Sequence, residues 1–130
     1  MSIPQSANVT IRDNTLYWEN TSFSVTVDEA EAIARTVREE MTRAPIDAIL
    51  VDNREANGAW PSEVDPVWGE LMADIYAQDI PCATLCPSVS NALQIDKLSK
   101  NNDTYDRIRG FDPHEESEAL EFLDAPSLTV

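Results

Sequence analysis

The chain has 130 residues, 24 acidic and 9 basic side chains, a net charge of −15 and an apolar fraction of 42%. That is enough apolar material for one folded domain with a single core, and no repeat or linker divides it. The charge argues against a phosphate-backbone or anionic-lipid binder, and no apolar run approaches the roughly 18 residues that span a bilayer.

The opening "MSIPQSANVT" has neither a basic nor an apolar segment, so no secretory signal is expected and the cytoplasm is the expected location. "NVTIR" and "TLYWE" flank Asp13-Asn14, and Val9, Ile11, Leu16 and Trp18 alternate with polar neighbours, which predicts a β-hairpin. "TSFSVTV" also alternates, with Phe23, Val25 and Val27 on one face; it is either a third short strand or an extended lead-in. Asp28, with Glu31 three residues on, predicts a capped helix start. The stripe Ala30, Ile33, Ala34, Val37 and Met41 continues that helix, and Ala44-Pro45 ends it.

"IDAILVD" holds the consecutive apolar residues Ile49, Leu50 and Val51, the mark of a central parallel strand covered on both faces. Asp65-Pro66 predicts the N-cap and first turn of a second helix. That helix runs to about Gln78 and buries Val67, Trp68, Leu71, Met72, Ile75 and Tyr76. "PCATLC" is a short buried strand, Ser88 caps a third helix, and "YDRIRGF" is a more polar strand near the sheet edge. Asp112-Pro113 with Glu115 starts the last helix, with Ala119, Leu120 and Leu123 as its stripe. The predicted fold is a single α/β domain over residues 1–130, with its core at about 8–124. Its sheet is mixed, mostly parallel and four- or five-stranded, with an N-terminal hairpin and about four helices.

Catalytic signatures are scarce. Cys82 and Cys86 on one strand would stand on the order of 13 Å apart, too far for a disulfide, and read as buried structural thiols. His114 is the only histidine, so no thiolate–imidazole metal site is expected, and any serine or cysteine nucleophile would depend on it. It reads instead as a solvated residue near a helix start. The glycines Gly58, Gly69 and Gly110 make no Gly-x-Ser-x-Gly, P-loop or dinucleotide pattern. Asp52 ends the central strand at its carboxyl edge, where open α/β sheets bind ligands. A receiver domain would carry its phosphate-accepting aspartate there, but it needs two acids after the first strand for Mg²⁺, and only Asp13 is offered. Acid-pair hydrolysis could draw on Asp52, Glu55, Glu63 or Asp65, though neighbouring acids arise by chance in so acidic a chain. Trp60 is either an exposed recognition group or a lid over the core, while Trp18 and Trp68 read as core.

Three stretches, "IDAILVDNREANG", "IPCATLCPS" and "RIRGFDPHEESEALEFL", carry a resemblance to a known fold. They resemble the STAS domain of the anti-sigma factor antagonists, and more closely its STAS-like relatives, over residues 26–124. The resemblance implies a serine or threonine at the start of the helix after the central strand, phosphorylated by a partner kinase. Ser62 is the only hydroxyl between Asn53 and Pro66, so it alone could take that role. The family's Asp-Ser-Ser/Thr-Gly-like sequence is replaced by "AWPSEVDP". A phosphate on Ser62 would gain from the helix start and lose from Glu63 and Asp65, with Arg54 the one nearby base. The plainer role of Ser62 is to turn the chain into the helix. The spread of acids, with only Lys97 and Lys100 as lysines, resembles proteins of salt-accumulating microbes such as haloarchaea.

The leading expectation is a non-enzymatic protein-interaction or regulatory module of a salt-adapted cytoplasm, without metal or cofactor. Its recognition surface would comprise Asp52, Arg54, Asn57, Gly58, Trp60, Ser62 and Asp65, facing a protein partner; a homodimer stays open. One alternative is a small-molecule binder or enzyme with a pocket beside Asp52 and Trp60, like STAS-like proteins suspected of binding apolar or nucleotide ligands. The other is a receiver-like signalling domain.

Overall fold

The computed structural model describes residues 4–128, with side chains described to Leu123. The ends of the predicted domain, residues 1–3 and 129–130, lie outside the described residues. A five-stranded mixed sheet runs in the order β1 (Ala7–Arg12), β2 (Thr15–Asn20), β3 (Ala48–Asp52), β4 (Cys82–Leu85), β5 (Ile108–Phe111). β1 and β2 form the predicted antiparallel hairpin, and Asp13 and Asn14 take the positive φ values of 52° and 65° that suit a two-residue turn. The other neighbours pair in parallel, with β3 at the centre and the polar β5 at one edge, as expected.

Helices α1 (Val27–Arg43), α2 (Asp65–Ala77) and α3 (Val89–Asn101) connect the parallel strands and cover one face. α4 (Glu116–Leu128) covers the other. Strand pleating decides which residues meet them, since successive side chains alternate. Register puts Leu16, Trp18, Ile49, Val51, Cys82 and Thr84 under α1–α3. Leu50, Asp52, Ala83, Leu85 and Phe111 lie on the α4 side. The unbroken apolar run of β3 thus serves two cores, as its sequence requires.

α3 lies tight on β5 because Gly110 has no side chain: a Cβ there would fall 2.8 Å from the Ala92 carbonyl and 2.9 Å from Ile95 Cβ. α2 instead packs on α1 and α3 and stands further from the sheet. That separation leaves space beneath α2.

The structure corrects several local expectations and decides one that was open. The cap of α1 is Thr26, not Asp28: its hydroxyl accepts from the Glu29 N–H at 3.1 Å, while Glu29 Oε1 accepts the Thr26 N–H at 2.9 Å. Thr26 has the extended dihedrals of a cap, whereas Asp28 is already inside the first turn. "TSFSVTV" is the extended lead-in rather than a strand, with one isolated bridge, Ser22 to Asn57. Asp65 does not cap α2; a 3-10 turn at Ser62–Val64 precedes it, and its carboxylate accepts from Trp60 Nε1 instead. The last helix starts at Glu116, because Asp112 and Glu115 are used in the preceding turn: Asp112 N–H donates to Glu115 Oε1 and His114 N–H to Asp112 Oδ1. Leu120 is 44% exposed, off the buried line of Ala119 and Leu123. Val67, Trp68 and Tyr76 are half-buried where full burial was expected.

Candidate functional site

Two neighbouring residues at the end of β3 go to opposite sides of the sheet. Asp52 faces the α4 side, where Arg54 Nε and Nη2 donate to its two oxygens at 3.0 and 2.9 Å. Arg54 Nη1 also bonds Glu116 at 2.8 Å, tying β3 to α4. The hydrogen bonds from Arg54 hold the Asp52 carboxyl below the ordinary range. Asp52 is therefore a clamped structural anion. Asp13 sits in the hairpin turn, at the opposite end of β2 from the residue paired with Asp52, so the acid cluster of a receiver is not formed.

Asn53 lies on the α1–α3 side and lines a cavity of about 70 Å³ between α2 and the sheet. Its walls are apolar: Trp18 and Val51 from the sheet, Trp68, Leu71, Met72 and Ile75 from α2. Asn20, Asn53 and Thr84 gather at the carboxyl ends of β2, β3 and β4. Trp18 Nε1 donates to Asn20 Oδ1 at 2.9 Å, and Asn20 Nδ2 donates to Asn53 Oδ1 at 2.8 Å. No charged side chain lines the cavity among the described residues.

Its outer wall is built by the loop after β3. The Asn57 N–H and carbonyl bond the Thr21 carbonyl and Phe23 N–H, pinning that loop to the lead-in of α1. The Ser24 hydroxyl bridges the backbone N–H and carbonyl of Ala59, both at 3.1 Å. Gly58 has φ of 89°, and a Cβ there would lie 2.5 Å from Ser24 Oγ, so the turn requires glycine. Phe23 and Trp60 are thereby stacked, with centroids 5.9 Å apart and planes at 25°. Asp65 fixes the indole from behind at 2.7 Å. Trp60 is half-buried, a wall of the cavity rather than a free recognition group. Its outer side, with Phe23, borders an open groove of about 340 Å³ that reaches Asn57, Gly58 and the first turn of α3. Asn91 there is 8% exposed, and its Oδ1 has no partner among the described residues.

The predicted surface is thus divided. Asp52 and Arg54 belong to the α4 side, while Asn57, Gly58, Trp60 and Asp65 shape the cavity and groove. The pocket expected beside Asp52 and Trp60 is not lined by Asp52; the cavity lies beside Trp60 and Asn53 instead. Ser62 is exposed on the 3-10 turn, and Arg54, the base expected to serve it, is engaged by Asp52 and Glu116. Cys82 and Cys86 are buried free thiols, as expected, and burial pushes both up to about 12, far from thiolate chemistry. His114 is exposed. Among the described residues no group of acids, cysteines and histidine could hold a metal, and no helix is long and apolar enough to cross a membrane. Sequence reasoning missed Asn20, Phe23, Asn53 and Thr84 as site residues. The signal for Thr84 was a lone polar residue in the fully buried strand "CATL".

No family model and no curated protein matches the chain. Among solved structures, the NMR structure of the protein TM1081 is similar, with a TM-score of 0.60 and 14% identity over 87% of this chain and 84% of that one. At that identity the likeness carries the α/β fold alone.

Proposed function

We propose that the chain is a non-enzymatic regulatory module that binds a small molecule in the cavity beneath α2. One observation carries the reading: an apolar chamber with a few converging polar groups lies at the carboxyl ends of parallel strands, bordered by a stacked aromatic pair. No acid lines the cavity among the described residues, Asp52 is clamped on the other face of the sheet, and Cys82, the one thiol on the wall, is held protonated by its burial. Binding would reset Phe23 and Trp60, and through them the exposed loop at 57–59, which a protein partner could read. The STAS-like resemblance fits such a role, and the acidic surface fits a salt-rich cytoplasm.

A thermal-shift screen over a broad metabolite panel tests this. A ligand held only by the folded state raises the melting temperature. A panel without a single shift would reject the cavity as a binding site. A second reading takes the exposed residues Asn57, Gly58 and Ser62 as a protein-docking surface without a ligand. Co-purification of a stoichiometric partner with ligand-free protein supports it, and sedimentation in high salt separates it from a homodimer.

A further inference from the structure

The cavity's hydrogen-bonding groups define what it can hold. An indole nitrogen can only donate, so Trp18 Nε1 fixes Asn20 with Oδ1 toward it. Asn20 must then donate through Nδ2, and Asn53 must accept through Oδ1. The remaining group on Asn53 is its amide donor, Nδ2, which has no partner among the described residues. Thr84, across from Val51 on the same face, likewise leaves its hydroxyl unpartnered among the described residues. Both residues are only 5% exposed and both line the cavity. Both groups open on the chamber, since the one fully enclosed side-chain atom without a partner among the described residues is Asn91 Oδ1, so their companion, a water or a ligand oxygen, must come from within the chamber.

That companion is constrained further. No cation lines the cavity or the outer groove among the described residues, and the chain carries −15. An anion would lose its hydration without a counter-charge. A cavity of 70 Å³ is several times the roughly 10–15 Å³ of free space that a single water needs. Leu71, Met72 and Ile75 offer apolar surface to most of it.

Building on the ligand-binding reading above, we infer that the ligand is a small uncharged molecule with an apolar body, and that it presents a carbonyl or hydroxyl oxygen to Asn53 and Thr84. The aliphatic part lies against α2, and its outward end passes Phe23 and Trp60.

All three tryptophans of the chain line the cavity, so intrinsic fluorescence reads occupancy directly. The probes are cyclopentanone, its shape-matched hydrocarbon methylenecyclopentane, and the anion cyclopentanecarboxylate. Each is titrated into the wild type, Thr84→Val and Asn53→Leu. Both neutral probes are expected to bind the wild type saturably, and the carboxylate is not. The ratio of ketone to hydrocarbon affinity is expected to fall about fivefold in Thr84→Val, and in the same direction in Asn53→Leu. A ratio unchanged in both variants overturns the oxygen contact while leaving the cavity as a binding site. A carboxylate that binds as tightly as the ketone overturns the uncharged class. Failure of every probe overturns the binding site itself.

Discussion

Asp52 and Asn53 are adjacent, and the pleat sends one into an ion pair and the other into a cavity. The Asp52–Arg54 contact is partly exposed, with 28% and 36% of the two side chains accessible, so solvent screens much of its strength. Asp52→Asn is expected to cost about 1 kcal/mol or less at neutral pH in urea unfolding. The sign of its pH dependence follows from the depressed carboxyl. Its unfolded value is about 4, so the stability it lends is complete above that value and is lost as pH falls through the lower folded value. Stability curves of wild type and Asp52→Asn should converge on acidification. A gap that persists in acid would show that the variant removes something other than this charge.

At the scale of elements, the helix starts are the sharpest test of where sequence reading slipped. Asp28 and Glu31 satisfy the capping-box pattern, but Thr26 and Glu29 satisfy it too, two residues earlier, and theirs is the pair that forms. Thr26→Ala should lower stability by about 1 kcal/mol, whereas Asp28→Ala should cost a few tenths. Equal losses from the two substitutions, read by thermal unfolding, would contradict the assigned cap. The β-hairpin, the central strand and α1–α3 were legible because their periodicity reflects burial, which long elements repeat several times. Helix starts at Asp65 and Asp112 were misread because an aspartate also bonds turns and distant side chains, as the Trp60 and His114 contacts show. The cavity was half legible. Trp60 and the loop after β3 were visible as unusual residues at a strand's carboxyl end. Which of Asp52 and Asn53 faces the cavity depends on register between strands, and so does the approach of Phe23. No single stretch encodes either. The wall itself can be tested at Gly58, where Gly58→Ala should cost about 1–3 kcal/mol from its positive φ and the contact with Ser24. A neutral result there would mean that the loop relaxes freely and does not hold Trp60 in place.

For the whole molecule, charge and cavity make separate demands. With 24 acids against 9 bases, self-repulsion opposes the compact state and salt screens it. The melting temperature should fall as salt is withdrawn; equal or greater stability in dilute buffer would contradict salt adaptation. The central claim concerns the space beneath α2, and the most direct measurement is an NMR titration of the three indole N–H groups with cyclopentanone. The account predicts that the signals of Trp18, Trp60 and Trp68 shift together to saturation, with through-space contacts from the probe to the methyl groups of Met72 and Thr84. Contacts only to the exposed Val89 and Leu93, or shifts that never saturate, would contradict it.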